Sequence, residues 1–88
     1  MVRVFLRHEV ADYSVWRSQY DTFDAERRAM GVVNDNVFRN AEDEHEITVT
    51  HDFETLAAAE RFVSPRHLRE AKSPSGVSSE PSIWFAEL

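Results

Sequence analysis

VRVFLRHEV, running from Val2 to Val10, alternates in the way a β-strand does. Alternation divides its side chains into two faces. One face carries Val2, Val4, Leu6, His8 and Val10, and the other carries Arg3, Phe5, Arg7 and Glu9. Neither face has the polarity of a plainly solvated surface, because Phe5 lies among the charged residues and His8 lies among the apolar ones. We therefore expect both sides of the sheet to be covered.

The composition is that of one small folded domain. The chain has 88 residues, of which 42% are apolar and 30% are charged, which is typical of a globular protein and too apolar for a disordered one. A core of this size only marginally offsets the entropy of the chain. Burial against a partner would therefore stabilise the fold.

Charge and cysteine content exclude several classes of function. Ten Lys and Arg against sixteen Asp and Glu give a net charge of −6, the wrong sign for a sequence-independent phosphate binder, so we expect no nucleic-acid partner. The sequence contains no cysteine, which excludes disulfides, thiolate metal sites and a cysteine nucleophile. Charges at positions 3, 7 and 9 interrupt the apolar run of a signal peptide, and no apolar stretch approaches spanning length. We expect a cytoplasmic protein with no membrane partner.

The segment ADYSVWRSQYDTFDAERRAMG predicts an amphipathic helix. Asp12 is suited to the N-cap, because its carboxylate can accept a hydrogen bond from the free amides of the first turn. Gly31 supplies the left-handed residue that ends a helix. The helix is predicted from a stripe of apolar residues spaced by three, four, three and seven: Tyr13, Trp16, Tyr20, Phe23 and Met30.

Two further strands are predicted in VVNDNVFRN and EITVTHDF, joined as a hairpin by the polar turn AEDEHE. In the first of these strands, Val33 and Val37 are expected on one face, and Asn34, Asn36 and Phe38 on the other. In the second, Ile47, Val49, His51 and Phe53 share one face, opposite Glu46, Thr48, Thr50 and Asp52.

The rest of the chain predicts two helices, a loop and a last strand. ETLAAAERFV indicates a helix from Thr55 to Val63, and its alanines favour helix strongly. Its inward residues are expected to be Leu56, Ala59, Phe62 and Val63. Ser64 and Pro65 are suited to start a short helix in SPRHLREA. KSPSGVSSEP is loop-like, and SIWFAEL is the final strand.

This order of elements, βαββαβ, is that of the ferredoxin-like fold, an α+β class, in a single domain over residues 1–88. Right-handed crossovers predict a four-stranded antiparallel sheet with strands one and three central and both helices on one face. The bare face is expected to carry Phe5, Val33, Val37 and Trp84, mixed with Arg3, Arg7, Asp35 and Glu46. A monomer would expose this patch to water, so we predict a homodimer with its sheets packed face to face. An edge-to-edge contact is the alternative.

Four segments resemble one known family: RHEVADYSVWRSQYD, FRNAEDEHEITVTHDF, SPRHLREA and GVSSEPSIWFAEL. They are similar to small dimeric α/β-barrel proteins related to the antibiotic biosynthesis monooxygenases, over nearly the whole chain. The resemblance implies a ferredoxin-like protomer, a homodimer whose sheets form a barrel, and a cavity between sheet and helices. Members include cofactor-free oxygenases of polycyclic phenols and quinones, polyketide cyclases and haem-degrading enzymes. The resemblance is thus specific for fold and not for reaction, and the catalytic residues of that family are not transferred to this shorter chain.

Four histidines are candidates for proton transfer or metal ligation: His8, His45, His51 and His67. His45 lies between Glu44 and Glu46 in the acidic turn and is interpreted as a solvated surface residue. His8 and His51 share the helix-facing side of adjacent antiparallel strands, but about four strand steps, roughly 13 Å, separate them. Metal ligation needs a few ångströms, so a two-histidine metal site at these positions is not expected. We also predict no other metal site and no cofactor.

The predicted functional site lies where the first helix begins, at the end of the first strand. Trp16 is expected over His8, with Tyr20 a turn further along, and the segment with His67 returns to the same end. His8 and His67 are the candidate catalytic bases. The predicted substrate-binding residues are Trp16, Tyr20, Phe23, Asn36, Phe38 and His51, although His51 is expected nearer the opposite end, across from Asn34. Aromatic walls with a few polar groups suit a small planar ligand.

Alternatives remain at both the residue and the function level. His8 is either a site residue or a core histidine held by one hydrogen bond, and the aromatic residues are either pocket walls or the buried stripe of a helix. The first function to fit is a cofactor-independent monooxygenase or cyclase acting on an aromatic, polyketide-like molecule. The second is a non-catalytic or stress-related dimer that binds an apolar metabolite. The third is haem degradation with His67 as the iron ligand.

Overall fold

The computed structural model describes residues 1–64 and 82–88 of the chain. Its elements in chain order are β1 (Val2–Glu9), α1 (Tyr13–Thr22), α2 (Asp24–Ala29), β2 (Asn34–Arg39), β3 (Glu46–Phe53), α3 (Leu56–Phe62) and β4 (Ser82–Glu87). All neighbouring strands are antiparallel, in the order β2-β3-β1-β4. The predicted ferredoxin-like arrangement, with the first and third strands in the centre, is confirmed. Apart from Ser64, the predicted short helix and the loop after it lie outside the described residues.

The core lies between one face of the sheet and the helices, and the described residues form two clusters in it. The larger cluster joins β1 and β3 to α3 through Val2, Val4, Leu6, Val32, Phe53, Ala59 and Phe62. The smaller cluster joins β3 and Val10, the residue after β1, to α1, and it consists of Val10, Trp16, Ile47 and Val49. The helices therefore cover a single face of the sheet, as the crossover rule predicts.

The predicted first helix is interrupted at Phe23, which ends α1 and begins α2. Two side chains hydrogen-bond to carbonyl groups in the last turns of α1. The Thr22 hydroxyl donates to the Gln19 carbonyl at 2.7 Å, and the Arg27 guanidinium donates to the Tyr20 carbonyl at 2.6 Å. Such bonds replace the regular helical ladder and bend the chain. Phe23 is half-buried at the break.

The predicted ends of the helices are confirmed by their caps. Asp12 accepts a hydrogen bond from the Val15 amide at 3.1 Å at the start of α1. Gly31 has a φ of 101°, the left-handed conformation expected after the helical stretch. α3 spans Leu56–Phe62, one residue shorter at each end than the helix predicted from Thr55 to Val63. The prediction that Leu56 faces inward is wrong, because its side chain is 50% exposed.

The facing of β2 is the reverse of the prediction. Val37 pairs with Val49 and Asp35 pairs with His51, which places both on the helix-facing side. Alternation then places Asn34, Asn36 and Phe38 on the bare face of the sheet, opposite Asp52, Thr50 and Thr48. A shift of one residue inverts every side chain of a strand. The observed register is favoured because it buries Val37 in the core and gives the Asp35 carboxylate partners from the helices.

The bare face of the sheet, which we call the open face, combines aromatic and paired charged residues. Phe5 and Trp84 stack in parallel with ring centroids 5.2 Å apart, on neighbouring strands. Trp84 is 43% exposed and Phe38 is 55% exposed. The charged residues pair across strands, Arg3 with Asp52 through two hydrogen bonds of 2.7 and 3.0 Å and Arg7 with Glu46. The placement of Phe5, Trp84, Arg3, Arg7 and Glu46 on this face is therefore confirmed.

Candidate functional site

Five rings form a continuous row on the helix-facing side of the sheet, which we call the aromatic row: His8, Trp16, Tyr20, His51 and Phe62. His8 meets the edge of Trp16 at 6.0 Å between ring centroids. Trp16 stacks on Tyr20 at 4.9 Å. Tyr20 lies 6.1 Å from His51, which in turn lies 4.7 Å from Phe62. The row therefore connects α1 to α3 across the two central strands.

The predicted site residues His8, Trp16 and Tyr20 are adjacent, and the predicted site residue His51 contacts Tyr20. His8 points toward the helices and contacts Trp16, on which Tyr20 stacks. His51 is paired with Val4, four residues away from His8, so the predicted separation of the two histidines along the strands is confirmed. The prediction that His51 is a separate polar point facing Asn34 is wrong, because its partner across the hairpin is Asp35 and it contacts Tyr20.

Other predicted site residues lie elsewhere. Asn36 and Phe38 are on the open face, with the Asn36 amide 3.5 Å from the Thr50 hydroxyl, so their assignment to the helix-facing pocket is wrong. The cause is the reversed facing of β2. Phe23 occupies the break between α1 and α2. His67 lies outside the described residues.

A polar cluster adjoins the aromatic row where Tyr20 meets β2 and β3. The Tyr20 hydroxyl is 2.7 Å from Asp35 Oδ2 and 3.1 Å from His51 Nε2. Asp35 Oδ1 accepts a hydrogen bond of 2.6 Å from Arg28. Arg27 lies over the Tyr20 ring, with its guanidinium carbon 3.6 Å from the ring centroid and its Nε 3.7 Å from Asp35. The cluster is thus a carboxylate held by a hydroxyl and two arginines.

Burial and charge determine the protonation of the cluster. Burial, together with the hydrogen bond to Asp35, raises the pKa of Tyr20 well above its usual value. Burial and the charge of Arg27 lower the pKa of His51 to about 3. Burial alone would raise the pKa of Asp35, but the hydrogen bonds from Tyr20 and Arg28 outweigh it and lower that pKa. At neutral pH the cluster therefore holds a protonated tyrosine, a neutral imidazole and an ionised carboxylate.

The arrangement supplies hydrogen-bonding groups beside aromatic rings. The rings give the site an apolar lining, and the neutral imidazole and the hydroxyl are polar groups beside them. Within residues 1–64 and 82–88, no group of three or more His, Asp or Glu is placed to hold a metal ion. In the same residues, no helix has the length and hydropathy required to cross a bilayer.

Sequence reasoning missed Asp35, Arg27 and Arg28. Asp35 was expected on the open face. Alternation alone does not decide which way a strand faces, and Asp35 contacts Tyr20 only in the facing that the structure shows. The sequence does contain an indication of the role of Arg27, because Arg27 lies seven residues after Tyr20 and three before Met30, on the same helical stripe. A charged residue within an apolar stripe indicates a buried partner, and Arg27 is 6% exposed.

Two depressions lined by described residues flank the turn between β2 and β3, and one of them approaches the aromatic row through Tyr13, whose ring centroid is 6.0 Å from that of Trp16. One has a volume of about 200 Å³ and includes Tyr13, Arg39 and His45 in its lining. The other, of about 480 Å³, is lined by residues 39–42 and Glu44. His45 is exposed, as predicted, and its Nδ1 is 3.1 Å from the Val10 carbonyl. Neither depression includes a predicted site residue.

No family model matches the chain, and no curated protein matches it. Among solved structures, it is similar to SnoaB, a cofactor-independent oxygenase from Streptomyces nogalater, with a TM-score of 0.76 at 16% identity, over 99% of this chain and 91% of that one. A Bordetella bronchiseptica protein described as an antibiotic biosynthesis monooxygenase gives a TM-score of 0.80 at 14% identity, over 99% and 95% of the two chains. A similarly described protein from Nitrosomonas europaea gives 0.71 at 10% identity, over 99% and 97%. The chain therefore has the fold of the antibiotic biosynthesis monooxygenases, which is the fold that the resemblance implied.

Proposed function

We propose that the chain, which shares the fold of these monooxygenases, is a cofactor-independent oxygenase or cyclase-type enzyme. Its substrate is an aromatic, polyketide-like molecule bound along the aromatic row. The observation that carries the proposal is the row of His8, Trp16 and Tyr20 beside the polar cluster, on the covered side of the sheet. A planar hydroxylated ligand needs both of these features, since rings bind its faces and polar groups fix its orientation.

In the proposed reaction the protein supplies binding and a base. Trp16 and Tyr20 contact the substrate, and His8, with His67 as the second candidate, removes a proton to give an electron-rich anion. With an anthrone, the substrate's own CH2 group supplies the electrons that reduce O2. One oxygen atom becomes the new quinone carbonyl, and the other leaves as water with the two hydrogens of the CH2 group. The overall change, anthrone plus O2 to anthraquinone plus water, needs no other reductant.

Oxygen consumption by the purified protein with anthrones, quinols and linear polyketides tests this proposal, against the rate without enzyme. His8→Ala is expected to lower turnover about 100-fold while substrate affinity stays similar, because a general base contributes at least that much. His45→Ala, at an exposed histidine, is the matched control and should keep full activity. Failure of the wild-type protein to transform any member of the panel would contradict an enzymatic role.

A non-catalytic binding protein is the second candidate, and the polar cluster itself favours it. The Tyr20 hydroxyl already bonds to Asp35 and His51, a satisfied arrangement that stabilises a fold without any reaction. This candidate predicts ligand binding that survives His8→Ala, with no turnover in the wild type. The third possibility, haem degradation, depends on His67, and a missing Soret shift on titration with haem would exclude it.

We also propose that the functional unit is a homodimer formed through the open face. The stacked Phe5 and Trp84, with the exposed Phe38, give this face an aromatic centre. Arg3 and Arg7 each form an ion pair, so that burial of this face would not leave their charges without a partner. The chain is small enough that this additional burial would contribute to its stability.

A further inference from the structure

We infer that His51 presents Nδ1 as a hydrogen-bond acceptor to the ligand, and that the site therefore binds aromatic molecules through a hydroxyl group that stays protonated. This inference rests on the proposed function, since it assigns a substrate class to the same site. In this inference His51 is a binding residue that accepts a hydrogen bond from the ligand. Tyr20 and Asp35 are the residues that position it.

The hydrogen bonds of Tyr20 determine which nitrogen of His51 carries the proton. The ionised Asp35 carboxylate can only accept, so the Tyr20 hydroxyl donates its single proton to Asp35 Oδ2 at 2.7 Å. The Tyr20 oxygen is then left to accept, and its neighbour at 3.1 Å is His51 Nε2. Nε2 must therefore carry the hydrogen. A neutral imidazole has one N–H, so Nδ1 carries the lone pair.

The surroundings of Nδ1 leave that lone pair to a ligand. His51 is 3% exposed, and none of the residues that the structure describes donates a hydrogen bond to Nδ1. Phe62 covers the imidazole from α3, 4.7 Å away between centroids, which keeps the environment apolar. Since buried polar atoms are almost always paired, an unpaired acceptor beside a row of rings indicates the place of a polar group of a bound molecule.

The charge of the cluster selects the form of the ligand. Arg27, the cation whose charge acts most on His51, is itself engaged by the Tyr20 ring, the Tyr20 carbonyl and Asp35. The imidazole stays neutral, because burial and Arg27 lower its pKa to about 3. A neutral lone pair attracts a phenol or enol hydroxyl and repels a phenolate or a methyl ether, which have no proton to donate. Since Nδ1 is shielded from solvent, a ligand reaches it only when a covering side chain moves aside.

The tautomer is measured by long-range 1H–15N correlation spectra of 15N-labelled protein. We expect wild-type His51 to show a protonated Nε2 and an unprotonated Nδ1, and the Nδ1 signal to shift on addition of 1-naphthol. Tyr20→Phe removes the oxygen that holds Nε2–H and should give a mixed tautomer. Tyr13→Phe, on the same helix, is the matched control and should leave the His51 signals unchanged.

Calorimetric titration with 1-naphthol and 1-methoxynaphthalene measures the selectivity. The naphthol should bind about 10-fold more tightly to the wild type and to Tyr13→Phe, the value of one buried hydrogen bond. In His51→Leu the two probes should bind within about 2-fold of each other. If that variant does not fold, the wild-type spectra and the ratio of the wild-type affinities for the two probes still test the inference.

The possible outcomes separate the inference from the proposed function. A proton on Nδ1, or equal affinities of the wild type for the two probes, overturns the inference, while oxidation of an anthrone would still support the enzyme. A lack of binding by both probes overturns the inference as well. In that case, a lack of oxygen consumption with the anthrone panel would contradict the oxygenase separately.

Discussion

Asp35 organises the polar groups on the helix-facing side of the sheet. One of its oxygens accepts from Tyr20 and the other from Arg28, with Arg27 close by. A carboxylate largely removed from water requires such partners, because an unpaired buried charge is strongly destabilising. Its charge in turn compensates the buried Arg27. His51, against the same group, is kept neutral by burial.

Protonation of His51 is expected to couple to unfolding. Its pKa in the folded chain is about 3, below the ordinary value of 6.5, so the unfolded chain binds the proton more tightly. The stability contributed by neutral His51 is complete above about pH 6.5 and is lost as the pH falls toward 3. For one such site, the free energy of unfolding should fall by about 2 kcal/mol between pH 7 and pH 5. Urea unfolding at several pH values measures this fall.

The groups around His51 define the control for this prediction. Arg27 and Arg28 oppose its protonation, and Asp35 and Asp52 favour it. The pKa values of the two carboxyl groups are lowered from 3.8, so their own contributions change at lower pH. His51→Leu should flatten the profile between pH 7 and pH 5, and His45→Ala should preserve it. An equally steep profile in the leucine variant would show that another group is responsible.

At the scale of elements, side-chain caps determine where the helices begin. The Thr55 hydroxyl accepts a hydrogen bond from the Ala58 amide at 3.2 Å and so starts α3. α3 has only seven residues, too few to be stable alone, so its cap and its packing through Ala59 and Phe62 must hold it in place. Since Phe62 covers His51, this cap also supports the candidate site.

Loss of the Thr55 cap should destabilise the fold measurably. Thr55→Ala is expected to lower the free energy of unfolding by about 1 kcal/mol, because the Ala58 amide loses its partner. Thr55→Ser keeps a hydroxyl at the same place and should stay within about 0.5 kcal/mol of the wild type. Chemical denaturation of the three proteins makes the comparison. An equal loss in both variants would mean that the threonine methyl group, and not the cap, is the stabilising feature.

The interruption at Phe23 shows where local patterns mislead at this scale. Apolar spacing over Tyr13 to Met30 is compatible with one long helix, and nothing in that spacing records that the Arg27 side chain bonds to the Tyr20 carbonyl. The cap at Asp12 was predictable because a cap involves residues only three apart.

For the whole molecule, the open face is the feature that a monomer explains least. Trp84 and Phe38 are largely exposed there, whereas the opposite face of the same sheet is covered by helices. Packing of two open faces would bury the stacked Phe5 and Trp84 near the centre of the contact, where aromatic side chains contribute most to association.

Sedimentation equilibrium at micromolar concentration should give a mass twice the 10.2 kDa of one chain. Trp84→Glu, which introduces a charge at the proposed contact, should weaken association at least about 30-fold, since a central aromatic anchor typically carries about 2 kcal/mol or more. Val15→Glu adds the same charge at an exposed position of α1 and should remain dimeric. A monomeric wild type, or equal weakening by both substitutions, would contradict the dimer.

The sequence by itself determined the order of elements, the central position of β1 and β3, the cap at Asp12 and the left-handed Gly31. These features follow from periodicity and turn chemistry, which act over a few neighbouring residues. The tertiary structure alone decided which way β2 faces, and with it the cluster of Tyr20, Asp35 and His51. A strand's alternation has two equivalent facings, and only pairing with β3 under the helices makes one of them more favourable. The hydroxyl of Tyr20 contacts residues 15 and 31 positions away, a distance at which no local pattern carries information.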